Sequence, residues 1–257
     1  MNKIGLVLSG GGARGFAHLG LLKVLDELQI KVAAISGVSA GAIFGALYAS
    51  GKKPDEILDI ALTKNGSYFG FSSVLWRKEG IFSLEAVRKI LLENIPEDSF
   101  ESLQIPLFIN ATDFLHSKTL FFSKGNLISR IIASASVPVV FQPVIEGGSK
   151  LVDGGLLNNF PVEPLLGICD KIIGSHVNKL EDISDIHFRF SKAAMIERTY
   201  HIAVANSVYS RAPQCDVFIE AALDKFGLVN IRNAAKIFDI GYHTALKYKR
   251  ELADLLQ

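Results

Sequence analysis

The sequence has almost no excess of either charge. Across 257 residues, 27 Lys and Arg against 26 Asp and Glu leave a formal net charge of +1. That balance gives no electrostatic case for nucleic acid as a partner and no strong attraction to an anionic membrane. Cysteine is scarce too. Cys169 and Cys215 show neither metal-ligand spacing nor a disulfide framework, which points to a reducing cytoplasm, a single bridge between them being the alternative. No leader is expected, because Met1-Asn2-Lys3 runs directly into a predicted strand. Internal repeats, low-complexity tracts and linkers are lacking as well. Residues 1–257 are therefore expected to form one domain, long enough to bury a substantial core. The apolar share of 49% and charged share of 21% are those of a globular protein.

Formal charge is also missing from one long run, the 20 residues from Val32 to Gly51, and that length could span a bilayer. Gly37 and Ser39 interrupt it, however, and its halves read differently. Val32 to Ile35 is a short buried strand and Ala40 to Ser50 a helix, as expected for a parallel sheet covered on both faces. Between them lies Gly37-Val38-Ser39-Ala40-Gly41, which fits the G-x-S-x-G nucleophile elbow. A serine between strand and helix must turn sharply, and glycines two residues to either side relieve the crowding. The hydroxyl would sit at a helix N-terminus, where backbone N–H groups favour developing negative charge. A small-residue turn that merely packs a helix onto a sheet is the alternative.

A second glycine-rich turn precedes it. Ile4 to Ser9 reads as a buried strand, followed by Gly10-Gly11-Gly12-Ala13-Arg14-Gly15 and an apolar helix pattern from Phe16 to Leu28. Two consecutive strand-to-helix turns should emerge at the same carboxyl edge of a parallel sheet, where such folds build sites. Gly10, Gly12 and Gly15 also satisfy G-x-G-x-x-G, the dinucleotide-binding fingerprint of an oxidoreductase. That fingerprint asks for an acidic residue roughly 20 residues further on to hold a ribose. None occurs between Glu27 and Asp55.

Four blocks together carry a resemblance. The run from Leu6 to Glu27, the elbow, Ile132-Ala133-Ser134-Ala135-Ser136-Val137-Pro138 with Phe141-Gln142-Pro143-Val144, and Leu151-Val152-Asp153-Gly154-Gly155 through Pro161 are similar, in this order, to the bacterial patatin-like phospholipases. The similarity covers about residues 4 to 164. It implies an α/β fold, a three-layer α/β/α sandwich with a mostly parallel central sheet, and a lipid acyl hydrolase or serine esterase. It also implies that Asp153 is the base for Ser39, in a dyad without histidine. His176, His187, His201 and His243 follow Asp153, so chain order alone leaves a Ser-Asp-His triad open. Asp-Gly is equally a common turn pair.

An unperturbed carboxyl is a weak base, so Asp153 would need partial desolvation to serve. Gly10, Gly11 and Gly12 could present N–H groups to an oxyanion at the helix start. Arg14 would reinforce the positive potential there or pair with a phosphate, as a substrate-binding residue; orienting the loop through a carbonyl or carboxylate is the alternative. His18 reads as helix packing. No metal or organic cofactor is implied. The partner is a lipid or acyl-ester substrate, and peripheral contact with a membrane is compatible with it. Phospholipid, lysophospholipid, acylglycerol and small thioesters all fit, and no oligomeric state is specified. A regulatory or binding protein of low turnover on the same fold is the other alternative.

The remaining chain reads as a helix from Pro54, an aromatic loop over 65–82, and a helix capped by Ser83 that carries Leu84, Val87, Ile90 and Leu91. Strands are expected at Leu107–Thr112 and Thr119–Ser123, and a helix at Asn126–Ala135. An extended stretch over Val139–Ile145 leads to the strand ending at Asp153. Further strands are expected at Lys171–Val177 and Asp216–Ala221, with an exposed loop over Lys179–Asp185. A helix over Asn233–Leu256, with Gly241 as the place where a kink can fall, closes the chain.

Overall fold

The computed structural model describes residues 2–63, 84–180, 192–228 and 231–257. The aromatic loop, Ser83 and most of the loop expected over Lys179–Asp185 lie outside them. In chain order the main elements begin with β1 (Ile4–Leu8), α1 (Phe16–Glu27), β2 (Val32–Gly37), α2 (Ala40–Ala49) and α3 (Pro54–Thr63). Next come α4 (Glu85–Asn94), β3 (Leu107–Asp113), β4 (Lys118–Phe122), α5 (Leu127–Ser134), β5 (Val144–Glu146) and β6 (Ser149–Asp153). The chain ends with β7 (Lys171–His176), α6 (Lys192–Tyr209), β8 (Val217–Glu220), α7 (Ala234–Leu246) and α8 (Lys249–Asp254).

The eight strands form one sheet in the order β5-β6-β3-β2-β1-β7-β8, with β4 also paired to β3. From β3 to β8 every pairing is parallel; β4, β5 and β6 join antiparallel. Side chains alternate between the two faces of the central strands. Ile4, Leu6 and Leu8 of β1 join Ile35 and Ile173 in a core covered by α1, α2 and α7. Val7, Ala34 and Ile172 point the other way, under Phe160, Val162, Leu165 and Val208 of α6. Helices thus flank a mixed, mostly parallel sheet. This is why the run from Val32 to Gly51 carries no charge: β2 and α2 are almost wholly buried. Among the described residues no helix is long and apolar enough to cross a membrane.

The register around β3 brings the site together. β2 pairs with residues 107–109 of β3, β6 with 111–113 and β4 with 109–113. Because β4 overlaps both others, β2 and β6 must share the opposite edge, where they run head to head. Gly37 stands beside Ile109 and Asp153 beside Ala111, about 7 Å apart along the strand. Asn110 fills the gap, donating from Nδ2 to the carbonyls of Gly154 at 3.4 Å and Asn158 at 2.9 Å.

Three local expectations change. The stretch expected to be extended from Val139 instead turns over residues 137–141, with Val139 at φ 71°, and β5 begins only at Val144. The C-terminal helix runs without interruption through Gly241. It breaks after Leu246 into α7 and α8, while a Cβ at Gly241 would lie 2.1 Å from the Ala17 carbonyl. Glycine is there so that α7 can approach α1. Helix α6, which the sequence reading does not anticipate, supplies Val204, Ala205 and Val208 to the interior.

Candidate active site

The elbow is built by backbone crowding. Ser39 adopts φ 53° and ψ −121°, a conformation costly for any residue with a side chain, by about 1–3 kcal/mol. The flanking glycines make it feasible. A Cβ on Gly37 would meet the Gly41 carbonyl at 2.6 Å, and one on Gly41 would meet the Leu8 carbonyl at 2.3 Å. The Ser39 N–H donates to Ser134 Oγ at 2.9 Å, and Ser39 as a whole is 9% exposed.

Asp153 ends β6 facing it. The carboxylate accepts the Gly155 N–H at 2.7 Å and lines the same cavity as Ser39. Burial pushes its pKa up to about 6, against the opposing pull of the nearby Ser39 hydroxyl and the Gly155 N–H. An acid in that range is a base matched to neutral pH. The structure brings Ser39 and Asp153 together. No histidine partner of this carboxylate is found among the described residues: His176 Nδ1 bonds Glu220 at 2.8 Å instead. His18 is fully buried between the Ser9 carbonyl, 2.9 Å from Nε2, and Ser175 Oγ, 2.8 Å from Nδ1. Burial pushes its pKa down to about 4, so it stays neutral at pH 7 and braces the start of the glycine loop.

Both residues open onto a cavity of about 240 Å³, which Gly10, Gly11 and Gly12 also line. Among the described residues, none accepts a hydrogen bond from the N–H of Gly10, Gly11, Gly12 or Ala40. The loop is held from behind. Asn178 and Asn159 donate to the Gly10 carbonyl at 2.8 and 3.4 Å, and the Ala13 N–H donates to Leu228 at 2.7 Å. Gly12 sits at φ 53° with its Cα hydrogen-bearing side against that same carbonyl, where a Cβ would approach to 2.1 Å. The rest of the wall is apolar, with Phe44 of α2, Val87 of α4, Phe141 of the turn and Val204 of α6 among its members, and His201 beside them.

Arg14 is buried behind the loop rather than in the cavity wall. Its guanidinium donates to the carbonyls of Phe226 at 2.8 Å and Asp224 at 3.5 Å, and to Asn178 Oδ1 at 3.3 Å. These are contacts that strap residues 224–228 onto the loop. Sequence reasoning did not pick out Ser134, Asn110 or Asn159 as parts of the site. The first and last lie within blocks that carried the resemblance; nothing local marks Asn110.

A doubly covered α/β sheet whose first two strand-to-helix turns present open amides and a serine elbow to a buried carboxylate defines a narrow class of folds. A model of the patatin-like phospholipase family matches residues 6–166. The chain belongs to the patatin-like phospholipase family. It is 32% identical over 192 residues to the lysophospholipase NTE1 of Cryptococcus neoformans var. neoformans, covering 71% of this chain and 12% of that protein. An uncharacterized NTE family protein of Mycobacterium bovis is 32% identical over 180 residues, 65% of this chain and 46% of that one. The neuropathy target esterase sws of Drosophila melanogaster is 28% identical over 98% of this chain and 20% of its own length. The chain thus spans between about a tenth and a half of these relatives. VipD of Legionella pneumophila shares the fold, with a TM-score of 0.58 at 15% identity over 98% of this chain and 67% of that chain.

Proposed function

We propose that the chain hydrolyses carboxylic esters of lipids, in the manner of a phospholipase A or lysophospholipase, through a Ser39–Asp153 dyad. The observation that carries this reading is the buried Asp153 carboxyl, pushed up to about 6, sharing an apolar cavity with a strained serine. Ser39 Oγ attacks the ester carbonyl as its proton passes to Asp153. The amides of Gly11 and Gly12, with Gly10 or Ala40 beside them, receive the oxyanion, each such donor contributing about 3 kcal/mol. The protonated Asp153 returns its proton to the departing alcohol. Water then gives up a proton to Asp153 and attacks the acyl-serine; the carboxylic acid departs, and Asp153 returns the proton to the expelled Ser39 Oγ. The apolar wall receives the acyl chain.

Arg14 takes a structural part in this scheme. It holds residues 224–228 against the glycine loop, so that the Gly12 amide keeps its aim, and is not assigned to the substrate. The names of the fungal lysophospholipase and the insect esterase support an acyl ester as substrate. The near-neutral charge and two free cysteines support a cytoplasmic location, and peripheral membrane contact is compatible with the reading. We read residues 1–257 as one patatin-like unit.

The test is release of free fatty acid from lysophosphatidylcholine micelles and from a short-chain p-nitrophenyl ester. The wild-type chain should hydrolyse both, and Ser39→Ala neither. Equal rates for the two proteins would remove Ser39 from the reaction.

A further inference from the structure

Outside the reacting groups, one segment touches both of them. We infer that the C-terminal end of α5 is a positioning bridge: Ser134 anchors Ser39, Ser136 anchors Asp153, and the short backbone between them fixes the separation of the dyad. The inference rests on the dyad reading above and goes beyond it, because neither serine contacts the substrate in that scheme.

The two anchors are of different kinds. Ser134 uses its side chain: its Oγ accepts the Ser39 N–H at 2.9 Å. Ser136 uses its backbone: its carbonyl accepts the Asp153 N–H at 2.9 Å. Both serines are 0% exposed, so no water competes for either bond. The anchored donors also lie outside the regular ladders. The Ser39 N–H precedes the first turn of α2, where helix donors lack internal partners. The Asp153 N–H closes β6 beyond its pairing with β5, at the point where β2 and β6 meet.

The bridge is stiff. The Ser136 hydroxyl donates to the Ile132 carbonyl at 2.7 Å, locking its own residue onto the last turn of the helix. The Ala135 N–H bonds the Ile131 carbonyl at 3.0 Å and the Ser136 N–H bonds the Ala133 carbonyl at 3.2 Å. Ile131, Ile132 and Ala133 are themselves buried, which ties the segment to the core. No other stretch of the described chain bonds the backbone of both Ser39 and Asp153.

Two consequences follow for the chemistry. The elbow is strained, and a buried acceptor on the Ser39 amide removes one route by which it would relax. The same bond commits that amide, so the oxyanion donors come from the glycine loop and Ala40 rather than from the nucleophile's own N–H. A nucleophile and base held from one rigid piece keep their separation, and displacements on the order of 1 Å cost ~100-fold in rate.

The test compares Ser134→Ala, Ser134→Thr and Ser134→Cys with wild type and Ser39→Ala. The readouts are kcat and KM on a short-chain p-nitrophenyl ester, the rate of labelling by a fluorophosphonate, and circular dichroism to establish folding. Ser134→Ala should lower kcat and the labelling rate together by ~10–100-fold while KM stays within about twofold. Ser134→Thr keeps the acceptor and should recover most of that loss. A folded Ser134→Ala with wild-type kcat overturns the bridge, as does a loss that threonine fails to restore. Should Ser134→Ala not fold, Ser134→Cys decides, because a thiol keeps the shape but is a much weaker acceptor for the Ser39 N–H: reduced kcat at unchanged KM supports the bridge and wild-type kcat overturns it. Failure of the underlying reading looks different. A wild-type chain that neither turns over ester nor labels at Ser39 defeats dyad and bridge together, whereas an active wild type, a dead Ser39→Ala and a fully active Ser134→Ala defeat the bridge alone.

Discussion

Replacing Asp153 by Asn should make the protein more stable and nearly inactive at once. Burial raises the carboxyl from its ordinary 3.8 to about 6, so ionising it inside the fold is unfavourable. The sign follows from linkage. The folded state binds the proton more tightly than the unfolded chain, so stability falls as pH rises through the window from about 4 to 6 and is level above it. At pH 8 the charged carboxylate costs about 3 kcal/mol, and at pH 4.5 about 1 kcal/mol. Asparagine keeps the shape and an oxygen able to accept the Gly155 N–H, while its amide can donate to Ser39. It carries no charge to desolvate.

Denaturant melts at pH 8 and pH 4.5 read this directly. Asp153→Asn should be the more stable protein at pH 8, with the gap narrowing by about 2 kcal/mol at pH 4.5. Ester hydrolysis at pH 8 should fall by at least ~100-fold, as for loss of a general base. A variant no more stable than wild type at pH 8, or a gap that does not depend on pH, would refute the desolvated carboxylate on which the mechanism depends.

Other predictions bear on separate parts of the account. The kcat/KM of wild type should rise with pH through about 6 and then level off; a flat profile would remove Asp153 as the titrating base. Gly12→Ala places a Cβ 2.1 Å from the Leu228 carbonyl at φ 53°, so it should displace the loop and lower kcat by ~100-fold or more in steady-state assays. Val139 is a β-branched residue at φ 71° and is 83% exposed, so Val139→Gly relieves strain without losing packing. It should raise stability by about 1 kcal/mol, some 2–4 °C in a thermal melt. Gly241→Ala forces α7 away from α1 and should destabilise by about 1–3 kcal/mol in the same melt.

Much of the fold's front half was legible because its signals are local. β1 and α2 are uninterrupted buried runs and β2 is buried at all but Ala33, and both turns between them are spelled by glycines whose missing Cβ atoms the structure explains. The pairing of Ser39 with Asp153 was legible only through family resemblance. Physically it depends on β2 and β6 sharing one edge of β3, a register that no local pattern encodes. Arg14 could be read two ways because a guanidinium suits phosphate and carbonyl alike; its partners at 224 and 226 are remote in sequence. Helix α6 escaped notice because polar and apolar residues alternate irregularly from Lys192 to Tyr209, leaving no clean stripe. The turn at Val139 was missed because valine is a poor indicator of a positive φ.

The most direct test of the central claim is covalent labelling by a fluorophosphonate, with the modified residue located by mass spectrometry. The dyad predicts one label on the wild-type chain, at Ser39, none on Ser39→Ala, and strongly slowed labelling of Asp153→Asn. A folded wild-type chain that stays unlabelled, or carries its label elsewhere, would contradict the claim that Ser39 is an activated nucleophile.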